Sequence, residues 1–265
     1  MSNVYLGCHL PIDLETRPSR GRQDDRPSHR QYIRTDKMEA NRKYWNDQHL
    51  LLRRFLVKDK DHRKAIETFL GHHAMVHTAK LYPGGPWSFQ DQVLSGLTDA
   101  QMRCIPKSGS HSVAWMIWHI ARIEDVTMNV LLADSPQVFR SGNWLNKLGI
   151  TCVDVGNEMP IEDRVALSEA INLKALLAYR LAVGKRTRQL VRHIKPDELW
   201  GSPAPERLKR IAEDGTVRDK AAWLLDYWGG HPNTNLLLMP ATRHCFVHLN
   251  EVRRMLPKLR RLQVG

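Results

Sequence analysis

Two histidines near the carboxyl terminus have the spacing of metal ligands. They are His244 and His248, in the segment from Arg243 to Glu251 (RHCFVHLNE). Residues four positions apart lie on one face of a helix, with Cβ atoms about 5–6 Å apart, so both imidazoles can reach one metal ion. The pair supplies half of a site. In a chain with 13 histidines it can also arise by accident on a solvated or half-buried face.

A third histidine, His119, lies in the middle of the most apolar segment of the chain. An imidazole without a partner is costly to bury, so this side chain needs a specific contact. It is either a ligand contributed by a second helix or a core histidine satisfied by a neighbouring side chain. The sequence leaves both interpretations open.

The candidate catalytic residue is Glu251, which follows His248 by three positions on nearly the same helix face. A carboxylate there can orient a histidine ligand or act as a base. The alternative is a surface ion pair with Arg254 or Lys258.

Other polar residues have weaker claims. The pair His73 and His77 also has i, i+4 spacing, and it is interpreted as structural or surface, with a role as alternative ligands left open. Glu124 and Asp125 do not align with His119 and are expected to support a ligand or to face solvent. Cys245 is rotated about 100° from its neighbour along a helix and is expected to face away from a metal.

Periodic apolar positions predict four long helices and no sustained strand, which is the all-α class. Prolines, glycines and capping residues place their ends. The predicted long helices span 61–81, 111–132, 168–194 and 241–262, with shorter helices over 87–102 and 221–228, a long loop over 133–161 and an irregular charged stretch over 195–220.

The amino-terminal part differs in composition from the rest. Between Thr16 and Lys37 the only sizeable apolar residues are Tyr32 and Ile33, which cannot form a core. The sequence therefore predicts a disordered basic tail over 1–37, a helical lead-in over 38–60 and a helical domain over 61–265. Met38 is a candidate for the true start of the protein.

Composition excludes several classes of protein. With 42% hydrophobic and 26% charged residues, the chain can bury a core and has no apolar run that could span a membrane. No secretory signal is recognisable, and four scattered cysteines indicate free thiols, so the expected compartment is the cytoplasm. The net charge of +12 makes nucleic acid a partner to consider, but aromatic residues are not interleaved with the basic ones, so it is not the expected partner.

Three segments together resemble the DinB/YfiT-like superfamily, a group described as metalloenzymes. They are 115–125 (WMIWHIARIED), 177–188 (LAYRLAVGKRTR) and 236–251 (LLLMPATRHCFVHLNE). The resemblance covers the chain from about residue 60 onward. It implies a four-helix bundle of up-down-down-up topology with a long crossover, and a divalent metal bound by His119, His244 and His248.

Three neutral imidazoles leave one coordination position for water or substrate, as in catalytic zinc sites. Imidazole also suits nickel and iron, so the ligands do not name the metal. Family members of assigned activity include transferases that use a low-molecular-weight thiol as nucleophile. Arg122 and Arg243 are candidates for attracting such an anionic thiol, with solvated charge as the alternative.

The resemblance has limits. After His248 the chain continues with Leu249 and Asn250, where many members have a Gly-Gln pair, so a specific sulfur-transfer reaction cannot be carried over. The expected function is a metal-dependent transferase or hydrolase acting on a small molecule. The alternative is a non-catalytic bundle with a structural metal that serves as an interaction or dimerisation module, with a second copy of the chain as a candidate partner.

Overall fold

The computed structural model describes residues 29–85, 87–107 and 109–262, with side chains from Lys37 onward. Every regular element in this part of the chain is a helix, which confirms the predicted all-α class. The α-helices are α1 His29–Arg53, α2 His62–Ala74, α3 Phe89–Leu94, α4 Asp99–Arg103, α5 Val113–Asp125, α6 Val138–Ser141, α7 Trp144–Leu148, α8 Ile161–Ala170, α9 Leu173–His193, α10 Pro196–Trp200, α11 Pro205–Glu213, α12 Trp223–Gly229, α13 Thr234–Leu238 and α14 His244–Leu259. Wider π-helical turns follow α1, α5 and α13, over Arg54–Lys58, Val126–Leu132 and Met239–Arg243, and 3₁₀ turns cover Ala79–Leu81 and Asp219–Ala221.

Four of these helices form the bundle that the resemblance implied. α5 packs against both α9 and α14, and α2 contacts α9 and the π-helical turn that precedes α14. Every residue of α5 is buried, so this helix is the centre of the bundle. Its first turn is fixed by Ser112, whose hydroxyl accepts a hydrogen bond from the backbone N–H of Trp115 at 2.9 Å.

Several predicted boundaries are wrong. The third long helix does not begin at Ser168, because the chain bends at Ile171 and the Asn172 side chain caps α9 by accepting from the backbone N–H of Ala175. The first bundle helix ends at Ala74 rather than Leu81. The stretch 133–161, predicted as a loop, contains α6 and α7, and the stretch 195–220, predicted as irregular, contains α10 and α11. These helices were missed because four to nine residues leave little periodicity to detect.

The last helix also begins earlier than predicted. Helical structure starts at Thr234 and passes through Pro240 to His244 without interruption. Pro240 lies in a π-helical turn, near its start, where its missing N–H and its ring are tolerated better than in a regular α-helix.

At the amino terminus, α1 begins at His29, inside the stretch predicted as a tail. Pro27 is the last helix-breaking residue before Gly71, so the chain can be helical from that point. Residues 1–28 of the predicted tail lie outside the described residues, and the three-part division of the chain stays a prediction. None of the described helices is both long enough and apolar enough to cross a membrane.

Candidate functional site

The bundle brings three of the predicted site histidines to one point. His119 comes from the middle of α5, and His244 and His248 come from successive turns of α14. Nε2 of His244 lies 3.1 Å from Nε2 of His119 and 3.2 Å from Nε2 of His248. The three side chains therefore face one another through the same ring nitrogen.

The opposite ring nitrogens fix how two of these rings are turned. Nδ1 of His119 donates a hydrogen bond to the backbone carbonyl of Val155 at 2.5 Å. Nδ1 of His248 lies 2.9 Å from a carboxylate oxygen of Glu251, which can only accept while ionised. In both rings the proton is on Nδ1, so Nε2 carries a lone pair directed at the shared point.

The site is closed on one side and open on the other. The side chain of His119 is 3% exposed, whereas His244 and His248 are half-buried. Burial, followed by the neighbouring His248, lowers the pKa of His119 to about 3, and burial also holds the pKa of His244 well below its usual value. These two rings are neutral at neutral pH, which is the form that binds a metal.

The spacing of the three nitrogens fits a single metal ion. Ligand nitrogens at 2.0–2.1 Å from a tetrahedral zinc lie about 3.3 Å from one another. The two observed nitrogen separations, 3.1 and 3.2 Å, are close to this value. The residues present therefore fit a divalent metal with one coordination position on the exposed side.

Aromatic rings line the α5 side of the site. Trp115 stacks on His119 with ring centroids 4.7 Å apart, and His111 stacks on Trp115 at 4.1 Å. Trp115 is itself buried, so it forms part of the core as well as a wall beside His119.

A second polar cluster lies deeper, between α2, α5 and α9. One oxygen of Glu124 lies 2.8 Å from Nε2 of His73 and accepts from the hydroxyl of Thr187 at 2.8 Å. The other oxygen lies 3.0 Å from Nε2 of His77 and accepts from Arg180 at 2.7 Å. All five side chains are fully buried.

The electrostatics of this second cluster favour a charged carboxylate among neutral imidazoles. Burial lowers the pKa of His77 to about 3 and also lowers that of His73. Burial alone would raise the pKa of Glu124, but His77, His73 and Arg180 outweigh it and hold the pKa of that carboxyl well below its usual value.

Several sequence interpretations need correction here. His73 and His77 do not lie on the surface, because Glu124 draws their rings into the core. Glu124 and Asp125 are fully buried rather than solvent-facing. Arg122 is also fully buried and donates to backbone carbonyls, so it cannot attract a ligand from solvent.

The expected orientation of Cys245 agrees with the structure. Its sulfur accepts from Arg180 at 3.2 Å, on the side of the second cluster. Burial raises the pKa of this thiol to about 11, so it is uncharged at neutral pH. Arg243 hydrogen-bonds to Asn46 and lies over the ring of Trp45, so its charge is held against α1.

Sequence reasoning missed the groups that hold the rings in place. The carbonyl of Val155 carries no sequence signal, because any residue has one. Arg180 and Thr187 are nearly two and four helical turns, respectively, beyond the start of α9, and only the folded bundle shows that both reach Glu124.

Comparison with known proteins assigns the chain to a family. A family model described as DinB superfamily matches residues 87–239, more than half of the chain. The match includes His119 and Glu124 and ends before His244. No curated protein matches the sequence.

Proposed function

We propose that this chain, which belongs to the DinB superfamily, binds one divalent metal ion through Nε2 of His119, His244 and His248. We further propose that it acts as a metal-dependent enzyme on a small molecule. The observation that carries the proposal concerns the lone pairs. His119 and His248 each direct an Nε2 lone pair at the shared point, and His244 can donate only one proton between them. A single N–H of His244 cannot point along both lone pairs, whereas one cation at the shared point would bind all three nitrogens.

The second cluster is a less suitable metal site, although its ligand atoms are also close enough together. Each oxygen of Glu124 already accepts two hydrogen bonds, and one of the four comes from the guanidinium of Arg180, which donates to Oε2. A divalent cation would lie beside that positive charge in a fully buried environment, which is strongly unfavourable. The partners of the three-histidine site are instead a carbonyl and a carboxylate.

A metal bound there would act as a Lewis acid and lower the pKa of a bound water or thiol. The protein's own contribution is to hold the imidazoles of His119 and His244 in the neutral form, to orient His248 and to leave the exposed side open for the substrate. Glu251 lies at that open side with its side chain about one-third exposed. Its hydrogen bond with His248 lowers the pKa of the carboxyl, so it is ionised and can accept a proton from a water or thiol.

The reaction we propose is a group transfer of the thiol S-transferase type, in which a low-molecular-weight thiol is the nucleophile. Hydrolysis is the related reaction, in which water takes the place of the thiol. Zinc, nickel and iron all suit three imidazoles. The half-buried position of His244 and His248 leaves only restricted access to the site, which favours small molecules as substrates.

Elemental analysis of the purified protein tests the ligand set. Wild type should carry one equivalent of a divalent metal after reconstitution, and both His119→Ala and the His244→Ala/His248→Ala double variant should lose it. His231→Ala, at an exposed histidine, is the matched control and should keep it. A wild-type chain that binds no metal under these conditions would remove the proposal.

A structural metal is the second candidate, because the three ligands come from two helices and a bound ion would cross-link α5 to α14. Cobalt substitution separates the two. If the metal has an exchangeable position, a low-molecular-weight thiol or azide should change the visible spectrum of the cobalt form. A structural metal would raise the melting temperature without responding to either added ligand.

A further inference from the structure

Arg122 is a fully buried arginine on the helix that carries His119, one turn after it. Its guanidinium donates to two successive backbone carbonyls, that of Val153 at 2.8 Å and that of Asp154 at 3.4 Å. On its other side it lies 3.5 Å from a carboxylate oxygen of Asp125. A charged group buried in this way is costly and needs a reason beyond packing, because an apolar side chain would stabilise a core at least as well.

The segment that Arg122 holds, residues 153–156, is the one that orients His119. We call it the carbonyl clamp. The next carbonyl after the two bound by Arg122 belongs to Val155, and it accepts the hydrogen bond from Nδ1 of His119 at 2.5 Å. The arginine and the histidine thus hold consecutive carbonyls of one short piece of backbone.

Other contacts keep the carbonyl clamp in one conformation. The Asp154 carboxylate accepts from the backbone N–H of Gly156 at 2.7 Å and from Arg218 at 2.6 Å. The backbone N–H of Val155 donates to the carbonyl of Thr216 at 3.0 Å. The segment is therefore fixed from the core by Arg122 and from the surface by Arg218.

We propose that Arg122 is a positioning residue for the metal site, an inference that rests on the proposed function. By fixing the carbonyls of Val153 and Asp154, it places the Val155 carbonyl so that His119 keeps its proton on Nδ1 and presents the Nε2 lone pair to the shared point. Partners of this kind around metal-binding histidines typically change metal affinity by about 10–100-fold when they are lost.

The test compares Arg122→Lys with Arg207→Lys. Lysine keeps the positive charge and loses the planar fork that reaches two carbonyls. Arg207 is a matched control because it also donates to two successive carbonyls, those of Leu131 and Leu132, at 2.7 and 3.0 Å, and lies in α11, outside the carbonyl clamp. Both changes can lower the melting temperature, so stability alone does not decide.

The deciding readout is the state of the His119 ring in the metal-free full-length chain. Nitrogen chemical shifts of ¹⁵N-histidine, assigned with His119→Gln, report which ring nitrogen carries the proton. We expect the Nδ1–H form in wild type and in Arg207→Lys, and a mixture of the two forms in Arg122→Lys. Zinc affinity, measured by competition with a chromophoric chelator, should fall about 10–100-fold in Arg122→Lys only.

An unchanged ring state and unchanged zinc affinity in folded Arg122→Lys would overturn the proposal. If Arg122→Lys does not fold, Asp154→Asn replaces it, because it loosens the same clamp from the exposed side. In Asp154→Asn, a smaller change of the His119 ring state and of zinc affinity in the same direction supports the proposal. An unchanged ring state and affinity overturn it, because Arg122 is proposed to act only through this clamp. If wild type binds no zinc, the proposed function fails, and the ring-state comparison in the metal-free chain still decides the role of Arg122.

Discussion

Nδ1 of His248 lies 2.9 Å from a carboxylate oxygen of Glu251, one helical turn further along α14. Glu251 therefore contacts a predicted ligand directly, while Arg254, one of its alternative surface partners, also lowers the pKa of this carboxyl. The contact with Glu251 orients the imidazole so that Nε2 faces His119 and His244, and a carboxylate bound to Nδ1–H makes a ligating histidine more basic. The same helix therefore carries two ligands and the group that orients one of them.

Glu251→Ala should weaken zinc binding by about 10–100-fold, because His248 loses the partner that holds its ring. Glu251→Gln keeps an acceptor for Nδ1–H and should lose less affinity, while it loses the proton acceptor of the proposed reaction. Glu162→Ala, at an exposed carboxylate at the start of α8, is the control. Equal zinc affinity in all three variants, measured by chelator competition, would show that Glu251 does not support the site.

Gly156→Ala should destabilise the protein, because this residue has a φ of +89° and an added Cβ would lie 2.6 Å from the ring of Trp118. Gly215→Ala is a matched control, since Gly215 also has a positive φ, of +64°, and open space around it. Both positions have a positive φ, but that of Gly215 lies within the left-handed region open to L-residues, and the clash with a buried indole adds about 1–3 kcal/mol at Gly156 alone. Urea unfolding of the two metal-free variants gives the difference.

The same pair of variants also tests the carbonyl clamp. A shift of the backbone at Gly156 should move the Val155 carbonyl away from His119 and lower zinc affinity. Gly215→Ala should keep wild-type affinity. A loss of stability in Gly156→Ala with full zinc affinity would mean that the site tolerates movement of this segment.

Much of the helical framework could be predicted from the sequence. The second long helix was predicted to begin at His111 and end at Leu132, and helical structure covers Val113 to Leu132, because a cap before it and a continuous apolar pattern mark both ends. The all-α class followed from the same periodicity. The HxxxH spacing predicted that His244 and His248 share one face, and the resemblance to the DinB/YfiT-like superfamily implied that His119 joins them.

The sequence did not predict the contacts that depend on tertiary structure. Glu124 was interpreted as a supporting or solvent-facing residue, because its partners His73 and Arg180 come from two other helices. Arg122 was taken for a candidate to attract an anionic thiol, and only the path of residues 153–155 shows its actual partners. Backbone carbonyls in loops have no residue signature, so a site built on them is invisible to pattern analysis.

Glu124→Gln should destabilise the protein by about 3–5 kcal/mol, the usual cost of removing one partner of a buried ion pair, because it leaves Arg180 buried without a counter-charge. The same variant should keep one equivalent of zinc, since the carboxylate does not belong to the three-histidine site. Denaturant unfolding and elemental analysis of the same sample measure the two effects. If Glu124→Gln fails to fold, His73→Gln, which keeps an N–H donor for Glu124, answers the question of zinc binding. Loss of the metal in either variant would place it in the deeper cluster.

The deeper cluster should also make stability depend on pH. Burial, together with Arg180, lowers the pKa of His77 to about 3, whereas an ordinary histidine has a pKa of 6.5. Between these two values the unfolded chain binds a proton that the folded chain does not, so the free energy of unfolding falls as the pH is lowered through this window. A change of one pKa unit corresponds to about 1.4 kcal/mol, so the effect is measurable.

His77→Gln removes the titrating imidazole, and the glutamine amide can still donate to Glu124. In the metal-free protein, the loss of stability between pH 7 and pH 5 should therefore be smaller in His77→Gln than in wild type. This range lies above the ordinary pKa of a glutamate, which keeps the titration of Glu124 out of the comparison. His231→Gln, at an exposed position, is the control and should retain the wild-type slope. Identical slopes in all three proteins, from urea unfolding at each pH, would mean that His77 is not held neutral by the fold.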